Sequence, residues 1–273
     1  MTAAHQHAPV FAGTIPQVYD QYMVPLVFEP YAIDLAQRLV HLPLTNVLEL
    51  AAGTGALTRR LAMTLPAGVF IIATDLAQPM LDHAASVGTS RAVEWRQADA
   101  LRLPFDKGSF DAVVCQFGAM FFPDRVRGFA EVRRVLRAGG VFIFNTWDRI
   151  EENEFAAIAS EVLARMFPHD PPSFMARVPH GYHDAAKIRS DLAASGFSEQ
   201  AEVQTVAARS RAASARIPAV AYCQGTPMRN EIESRDPARF DSATGATEAA
   251  IAARFGQSAV DGKIQAHVVT VEA

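Results

Sequence analysis

Residues 46–61 read N-V-L-E-L-A-A-G-T-G-A-L-T-R-R-L, and the rest of the chain is organised around this stretch. The largely apolar run 47–50 predicts a buried parallel strand, followed by a glycine-rich turn and the start of a helix. Glycine is typical where a ligand approaches the backbone or where φ is positive. The helix N-terminus, with its unpaired N–H groups, points to the same place. The stretch therefore predicts a site for a nucleotide-type ligand, although a lone G-x-G also occurs in ordinary strand-to-helix turns.

A second apolar run, at 70–74, ends in Asp75 and strengthens this interpretation. An acidic residue at the tip of the second strand of such a unit accepts hydrogen bonds from both hydroxyls of a ribose. Asp75 lies 20 residues after Gly55, which is the separation expected for that role. The strand, turn, helix, strand and acid together indicate nucleotide binding more strongly than any one of them.

The composition restricts the class of protein. Half of the 273 residues are hydrophobic and a fifth are charged, which allows a sizeable core without metals or disulfides. The net charge of −4 gives no footprint for nucleic acid or an anionic membrane, and no apolar stretch is long enough to span a bilayer. The N-terminus lacks a signal-peptide pattern, and two cysteines make no disulfide framework. We expect a cytoplasmic monomer or homodimer that holds no metal.

The order of elements predicts an α/β fold, a Rossmann-like doubly wound and mostly parallel seven-stranded sheet. Strands and helices alternate across 46–148, which implies right-handed crossovers and ligands at the carboxyl ends of the strands. The predicted strands lie near 46–51, 69–74, 93–97, 110–116, 141–146, 200–207 and 264–271. The predicted helices lie near 55–65, 78–86, 124–137, 152–166 and 184–195. The run Arg137–Gly140, R-A-G-G, is expected to end the third helix.

The remaining segments extend this core at both ends. We expect a loose tail at 1–13 and a single domain at 14–273, in which Pro25 and Pro30 break the N-terminal helices into pieces. The predicted parts of that domain are N-terminal lid helices at 14–45, a cofactor-binding core at 46–148, the C-terminal half of the sheet at 149–208, a helical capping insertion at 209–262 and the last strand at 263–273.

The segment 95–122 makes the prediction of the ligand specific. Five motifs occur in order along the chain: E-x-A-x-G-T-G, D-x-x-x-x-M-L, D-A-x-x-L-P-F, S-F-D-x-V and L-R-x-G-G. With these motifs the chain resembles the class I S-adenosylmethionine-dependent methyltransferases, in the broad group that includes quinone-biosynthesis methyltransferases. The resemblance is strong over 14–148 and rests on pattern alone for the last strands. It implies S-adenosyl-L-methionine as the cofactor and a small molecule as the methyl acceptor.

The resemblance also implies a cofactor contact for each matched position. The positions are Glu49, Ala51, Gly53 and Gly55 for the methionine part, Asp75 for the ribose, Leu76, Met80, Asp99 and Ala100 for the adenine, and Gln116 and Phe117 around the sulfonium. From the lid, Tyr19 or Tyr22 is expected to touch the cofactor. Alternatives stay open, because Asp99 also suits a turn cap and Met80 and the lid tyrosines also suit a core.

The acceptor is expected to be uncharged and largely apolar. Phe121 and Phe122 extend an apolar wall beyond Phe117, although both also suit a core under the next helix. The other predicted substrate-pocket residues are Asn145, Trp147 and Tyr182, and the candidates for a general base are His180, His183 and Asp148. Asp184 or His183 also suits a helix cap, with Tyr182 packed beneath it. No Asn-Pro-Pro-Tyr or Pro-Cys motif follows the fourth strand, which argues against methylation of nucleic acid.

Two other functions stay open. A nicotinamide-dependent oxidoreductase usually has a third glycine three residues after Gly55, where this chain has Thr58. A protein that binds S-adenosylmethionine without catalysis differs only in lacking methyl transfer. Two further residues are expected to be structural: Cys115, as a buried and inert thiol, and Asp111, at the start of a strand.

Overall fold

The structure, a computed structural model, describes residues 15–198 and 200–273, so the predicted tail at 1–13 lies outside the described residues. The strands are β1 Asn46–Leu50, β2 Phe70–Asp75, β3 Glu94–Gln97, β4 Phe110–Gln116, β5 Leu136–Trp147, β6 Glu202–Ala212 and β7 Val260–Glu272. The helices are α1 Ile15–Val18, α2 Glu29–Leu39, α3 Ala56–Thr64, α4 Gln78–Val87, α5 Arg125–Val135, α6 Glu154–Met166, α7 Phe174–Arg177, α8 Ala185–Ala194, α9 Arg216–Gln224, α10 Met228–Arg235 and α11 Phe240–Phe255. A π-helical segment, Tyr19–Phe28, joins α1 to α2.

The strands form one seven-stranded sheet in the order β3-β2-β1-β4-β5-β7-β6. The five strands from β3 to β5 run parallel, and β7 lies antiparallel between β5 and β6. The predicted mostly parallel, Rossmann-like sheet is therefore confirmed. Strand order reverses between β1 and β4, which is where ligands bind in doubly wound sheets.

Helices cover both faces of the sheet, which explains why its central strands read as continuous apolar runs. In β4 every residue from Phe110 to Cys115 is buried, and the exception is the last residue, Gln116. Asp111 at its lower end accepts hydrogen bonds from the backbone N–H groups of Thr45 and Asn46, so its structural role is confirmed. Apolar burial thus positions the polar carboxyl end of β4 at the point of strand reversal.

The N-terminal helices do not break at the prolines, which corrects the prediction of separate pieces. Pro25 lies inside the π-helical segment, where the Glu29 N–H donates to the Val24 carbonyl, five residues back. The wider turn avoids the clash that a proline ring makes with the i−4 carbonyl of an α-helix. Pro30 stands in the first turn of α2, where a missing N–H costs no helical bond.

Two predicted boundaries are also corrected. The helix α5 ends at Val135, and 137–140 belongs to β5, where Gly139 takes a φ of +72°. The strand β6 continues to Ala212 and β7 begins at Val260, so the inserted helices occupy 213–259 rather than 209–262. The Arg-rich segment 209–212 belongs to the edge strand β6, which pairs with β7. There Arg209 and Arg211 form ion pairs with Asp261 across the exposed face of the hairpin.

The inserted helices lie against the N-terminal segment. A Cβ placed on Gly225, just after α9, would lie 3.3 Å from a Val18 methyl and 3.6 Å from Met23. The Tyr31 hydroxyl of α2 donates to the Val206 carbonyl of β6 at 3.1 Å. The N-terminal segment and the inserted helices therefore pack against each other.

Candidate functional site

The glycine-rich turn at 51–55 connects β1 to α3 with three residues at positive φ. Ala51 has a φ of 52°, Gly53 of 56° and Gly55 of 83°. Gly55 also needs to lack a side chain, because a Cβ there would lie 3.0 Å from the Trp95 ring and 3.2 Å from Ala84. Behind the turn, a Cβ on Gly118 would lie 2.4 Å from the Ala51 Cβ. The carboxyl ends of β1 and β4 are thus in direct contact.

Asp75, at the end of β2, holds this turn in place. One carboxylate oxygen accepts from the Gly53 N–H at 2.8 Å and the other from the Ala77 N–H at 2.8 Å. Burial raises the pKa of Asp75, and these backbone hydrogen bonds act in the opposite direction. Each carboxylate oxygen has capacity for a further donor, so the predicted ribose contact is compatible with both bonds.

Two polar side chains with buried oxygens lie on the adjacent strands β1 and β4, at the strand reversal. Glu49 of β1 is 1% exposed, and its Oε2 has no hydrogen-bond partner among the described residues. Gln116 at the end of β4 has a buried Oε1 that likewise lacks a partner there. Burial raises the pKa of Glu49 to about 8, and the neighbouring Thr58 acts in the opposite direction. Two unpartnered oxygens beside a cavity indicate a place for a cationic ligand.

The cavity at this point lies where the methionine end of the predicted cofactor, which carries an ammonium and a sulfonium, would be held. It measures about 300 Å³ including its open part, and its walls come from the N-terminal segment, β1, the turn, α3 and β4. The lining residues are Tyr19, Phe28, Glu49, Ala51, Ala52, Gly53, Thr54, Ala56, Leu57 and Gln116. The prediction missed Phe28, whose only signal was its place among the aromatic residues of the lid.

The other predicted cofactor residues lie around this cavity at different depths. Met80 is buried against the turn, 3.6 Å from the Cβ position of Gly53. Leu76 is 57% exposed just beyond β2, and Tyr22 is half-buried without lining the cavity. Asp99 is exposed and accepts from the Leu101 N–H at 2.9 Å, so it does cap a turn as its alternative interpretation predicted. Ala100 beside it is half-buried.

An aromatic cluster, defined here as Phe28, Tyr31, Phe117 and Trp147, lies directly beyond Gln116. The rings of Phe117 and Trp147 stack with centroids 3.8 Å apart and planes 7° apart. Tyr31 contacts both rings edge-on, at 5.3 Å and 5.4 Å. Phe117 takes a φ of +51°, which is strained for a residue with a bulky side chain and is typical of functional sites.

Three of the predicted substrate-pocket residues have side chains that contact other residues of the protein interior. Asn145 is fully buried, and its Oδ1 accepts from the Phe117 N–H at 2.8 Å, which holds the strained backbone. Phe122 is a core residue against Phe129, and Tyr182 donates to an Asp191 carboxylate oxygen at 3.0 Å from a buried position. Each of these side chains is buried, and its place in the acceptor pocket stays a prediction. Phe121 is half-buried and faces Phe174 at 6.3 Å, so its side chain is only partly enclosed.

The three candidate bases differ sharply in their surroundings. Asp148 accepts from Gln265 at 2.6 Å and lies 3.3 Å from the His267 imidazole. Burial works against ionisation, but the hydrogen bonds and His267 leave the pKa of Asp148 lowered. His183 is exposed, with Nδ1 2.8 Å from the His180 carbonyl oxygen. His180 is buried, and burial lowers its pKa to about 4.

Three other expectations concern the described residues alone. Cys115 is buried, and burial raises the pKa of its thiol to about 12, which agrees with an inert role. Across 15–198 and 200–273, no group of three or more His, Cys, Asp or Glu side chains is arranged to hold a metal ion. A search of the same residues finds no helix with the length and apolar character to cross a membrane.

Comparison with known proteins shows that this chain is similar to methyltransferases. A family described as Methyltransferase domain matches residues 48–144. A demethylmenaquinone methyltransferase from Thermus thermophilus is 31% identical over 185 residues, covering 64% of this chain and 82% of the relative. A protein of the same name from Deinococcus radiodurans is 40% identical over 107 residues, covering 38% of this chain and 44% of the relative, so this chain spans less than half of that protein.

The fold has relatives among solved structures. Phosphoethanolamine N-methyltransferase 2 of Haemonchus contortus, solved in complex with S-adenosyl-L-methionine, superposes with a TM-score of 0.57. The sequences are 13% identical, and the match covers 94% of this chain and 56% of that one. At this identity the likeness shows the fold.

Proposed function

The chain belongs to the class I S-adenosylmethionine-dependent methyltransferases, and we propose that it methylates a small, uncharged ring compound. The cofactor is S-adenosyl-L-methionine, which supplies a methyl group on a positively charged sulfur. Methyl transfer of this kind is an in-line displacement, so alignment and exclusion of water supply much of the catalysis. The protein's task is to hold two reactants face to face in a dry site.

We infer how this chain holds the donor. Glu49 and Gln116 would bind the ammonium and border the sulfonium, because both present unpartnered oxygens to the cavity. Asp75 would accept from the ribose hydroxyls at the tip of β2. The adenine would lie farther out, between Met80 and the exposed Leu76, with Asp99 and Ala100 at its edge.

The aromatic cluster is the observation that carries the proposal for the acceptor. Its four rings lie beyond Gln116, next to the methyl-donor end of the cavity, and Trp147 is the last residue of β5. Stacked and edge-on aromatic surfaces favour a flat apolar ring over an amine or a charged group. The Thermus and Deinococcus relatives are named for demethylmenaquinone, which supports a quinone-type ring as the acceptor.

A panel of acceptors tests this proposal. Purified protein would be incubated with S-adenosylmethionine carrying a labelled methyl group and with bicyclic hydroquinones, naphthols, primary amines and free nucleic acid. We expect label in the ring compounds alone, and Trp147→Ala to lower their transfer by more than it lowers binding of the demethylated cofactor. Label in amines with none in the rings would contradict the proposal.

The N-terminal segment is proposed to act as the lid of the donor site. Its π-helical part carries Asp20, which pairs with Arg59 at 2.9 Å, and Arg59 also donates to the Thr54 carbonyl in the glycine turn at 2.7 Å. A second ion pair joins Glu29 to Arg60, the residue that follows Arg59 in α3. Lid and turn are thus connected through one arginine, so ordering of the turn is coupled to ordering of the lid.

Hydrogen exchange with and without S-adenosylmethionine would measure this coupling. We expect protection to rise across 15–31 together with 51–55, because the donor would contact Tyr19 and the turn together. The helix α8, which packs against α5, serves as an internal reference that should not change. If the turn alone responds and 15–31 exchanges equally fast in both states, the lid proposal is wrong.

A further inference from the structure

His180 has an environment that fixes which of its ring nitrogens carries a proton. Its Nδ1 lies 2.7 Å from the backbone carbonyl oxygen of Asp148. A carbonyl oxygen only accepts, so Nδ1 must be the protonated nitrogen and must donate to it. The other nitrogen, Nε2, then carries a lone pair. No hydrogen bond joins this nitrogen to any of the residues that the structure describes.

The position of His180 connects it to the methyl-donor end of the site. Its ring is 4% exposed and lies 6.0 Å from the Trp147 ring. Trp147 in turn stacks on Phe117, the residue that follows Gln116 of the donor cavity. The imidazole therefore lies beside the Trp147 ring of the aromatic cluster. An acceptor ring held against Trp147 would come close to it.

The charged and titratable groups around His180 leave it neutral at physiological pH. Asp148, Glu151 and His183 are the groups that face it, and the two carboxylates favour a proton on the ring. Burial acts against that proton and is the larger effect, which sets the pKa of His180 at about 4. A buried imidazole that stays neutral is ready to accept a proton and loses it readily afterwards.

We propose that Nε2 of His180 is the catalytic base that takes the proton of a hydroxyl group on the acceptor ring. This rests on the proposed function, and it narrows the acceptor to a ring that bears a hydroxyl, such as a phenol or a hydroquinone. As the proton moves to Nε2, the electron pair of the O–H bond stays on the acceptor. The acceptor forms a bond to the methyl carbon, and the pair of the broken methyl–sulfur bond remains on sulfur. The imidazolium then gives its proton to water.

A weak base suffices for this step because the hydroxyl becomes strongly acidic as the methyl bond forms. In the ground state the acceptor hydroxyl simply donates a hydrogen bond to Nε2. General bases positioned in this way contribute on the order of 10² to 10⁴ in rate. The anchor at the Asp148 carbonyl fixes the ring so that Nε2, and not Nδ1, meets the acceptor.

His180→Asn separates catalysis from anchoring. The Asn side-chain N–H₂ can replace Nδ1–H as a donor to the Asp148 carbonyl, but nothing replaces the lone pair of Nε2. We expect kcat with a naphthol or hydroquinone acceptor to fall by about 10² to 10⁴, with the affinity for the demethylated cofactor unchanged. His169→Gln, at an exposed position in the loop between α6 and α7, is the matched control and should behave as wild type.

A series of acceptors of increasing acidity gives a readout that a structural role would not move. The variant should recover towards the wild-type rate with a nitro-substituted naphthol, because that hydroxyl is already ionised and needs no base. A variant that is as active as wild type on every acceptor, or equally impaired on every acceptor, would overturn the assignment. If wild type methylates no hydroxylated ring, the proposed function itself fails, which is a different result.

Nuclear magnetic resonance of the wild-type protein covers the case in which the variant does not fold. With nitrogen-labelled histidine, His180 should show a proton on Nδ1 and should not titrate between about pH 5.5 and 8. Its Nε2 signal should shift when a hydroxylated ring is added to the complex with the demethylated cofactor. An unchanged signal with the acceptor bound would show that Nε2 does not meet it, and the proposal would be wrong.

Discussion

Asp75→Ala is expected to weaken binding of the S-adenosyl cofactor by about 2–4 kcal/mol, which is roughly 30- to 900-fold in Kd. The variant loses the acceptor for the two ribose hydroxyls. The variant also lacks the carboxylate that accepts a hydrogen bond from the Gly53 N–H at 2.8 Å. The glycine turn therefore loses an anchor in the same substitution. Titration calorimetry with the demethylated cofactor would measure the change, because no methyl transfer then competes with binding.

Two further variants make this result specific. Asp75→Asn keeps one acceptor oxygen and the shape of the side chain, so its loss of affinity should be smaller. Asp82→Ala removes an exposed carboxylate of α4 whose side chain accepts from Gln78, and it should leave binding unchanged. A folded Asp75→Ala protein that binds the cofactor as tightly as wild type would place the ribose elsewhere.

Cofactor binding at neutral pH is expected to release up to about one proton from the protein, and Glu49 is its source. Burial holds the pKa of Glu49 at about 8, so the free protein keeps this carboxyl protonated at pH 7. An ammonium or sulfonium bound beside the unpartnered Oε2 would favour the carboxylate and lower that pKa. Calorimetry in buffers of different ionisation enthalpy measures the number of protons released.

Glu49→Gln tests the source of the proton. This variant should release none and should lose about 1.5–3 kcal/mol of affinity, because a charged hydrogen bond becomes a neutral one. Above about pH 9 the wild type should also release none, since Glu49 is then ionised before binding. Equal proton release from wild type and variant would assign the proton to another group.

The same pKa predicts how stability depends on pH. The unfolded chain loses the Glu49 proton near the ordinary pKa of a glutamate, while the folded protein keeps it up to about pH 8. Between those values the unfolded state binds fewer protons. The contribution of Glu49 to the free energy of unfolding is therefore present at low pH and declines as pH rises through the interval. Glu49→Gln should remove that slope.

The core of the fold could be predicted because its residues carry local signals. The residue pattern predicted all seven strands, and the run 46–61 predicted the strand, glycine turn and helix that the structure contains. The predicted boundaries of helices and strands were wrong where tertiary contacts outweighed the local conformational preference of the sequence. The Arg-rich segment 209–212 was predicted as helix, but its pairing with β7, up to Ala212 and Val260, makes it a strand. Pro25 was predicted to break a helix, but the π-helical segment accommodates it.

The donor and acceptor sides of the site differed in how far they could be predicted. Asp75 and Gly53 stand at fixed positions relative to a strand, so their closeness follows from chain order. The stacking of Phe117 on Trp147 depends on a left-handed backbone at Phe117 held by Asn145, and no sequence pattern signals it. The contacts of Tyr182 have no signal in the sequence either. Its hydroxyl donates to Asp191, and the Arg125 guanidinium lies 4.2 Å from its ring centroid, so both neighbours enclose the side chain.

A crystal structure with the demethylated cofactor and a naphthol would test the central claim most directly. We expect the amino acid end of the cofactor between Glu49 and Gln116, its ribose hydroxyls on Asp75, and the naphthol against Trp147 with its hydroxyl at hydrogen-bond distance from His180 Nε2. A cofactor bound away from the glycine turn, or a naphthol bound away from the aromatic cluster, would contradict the account.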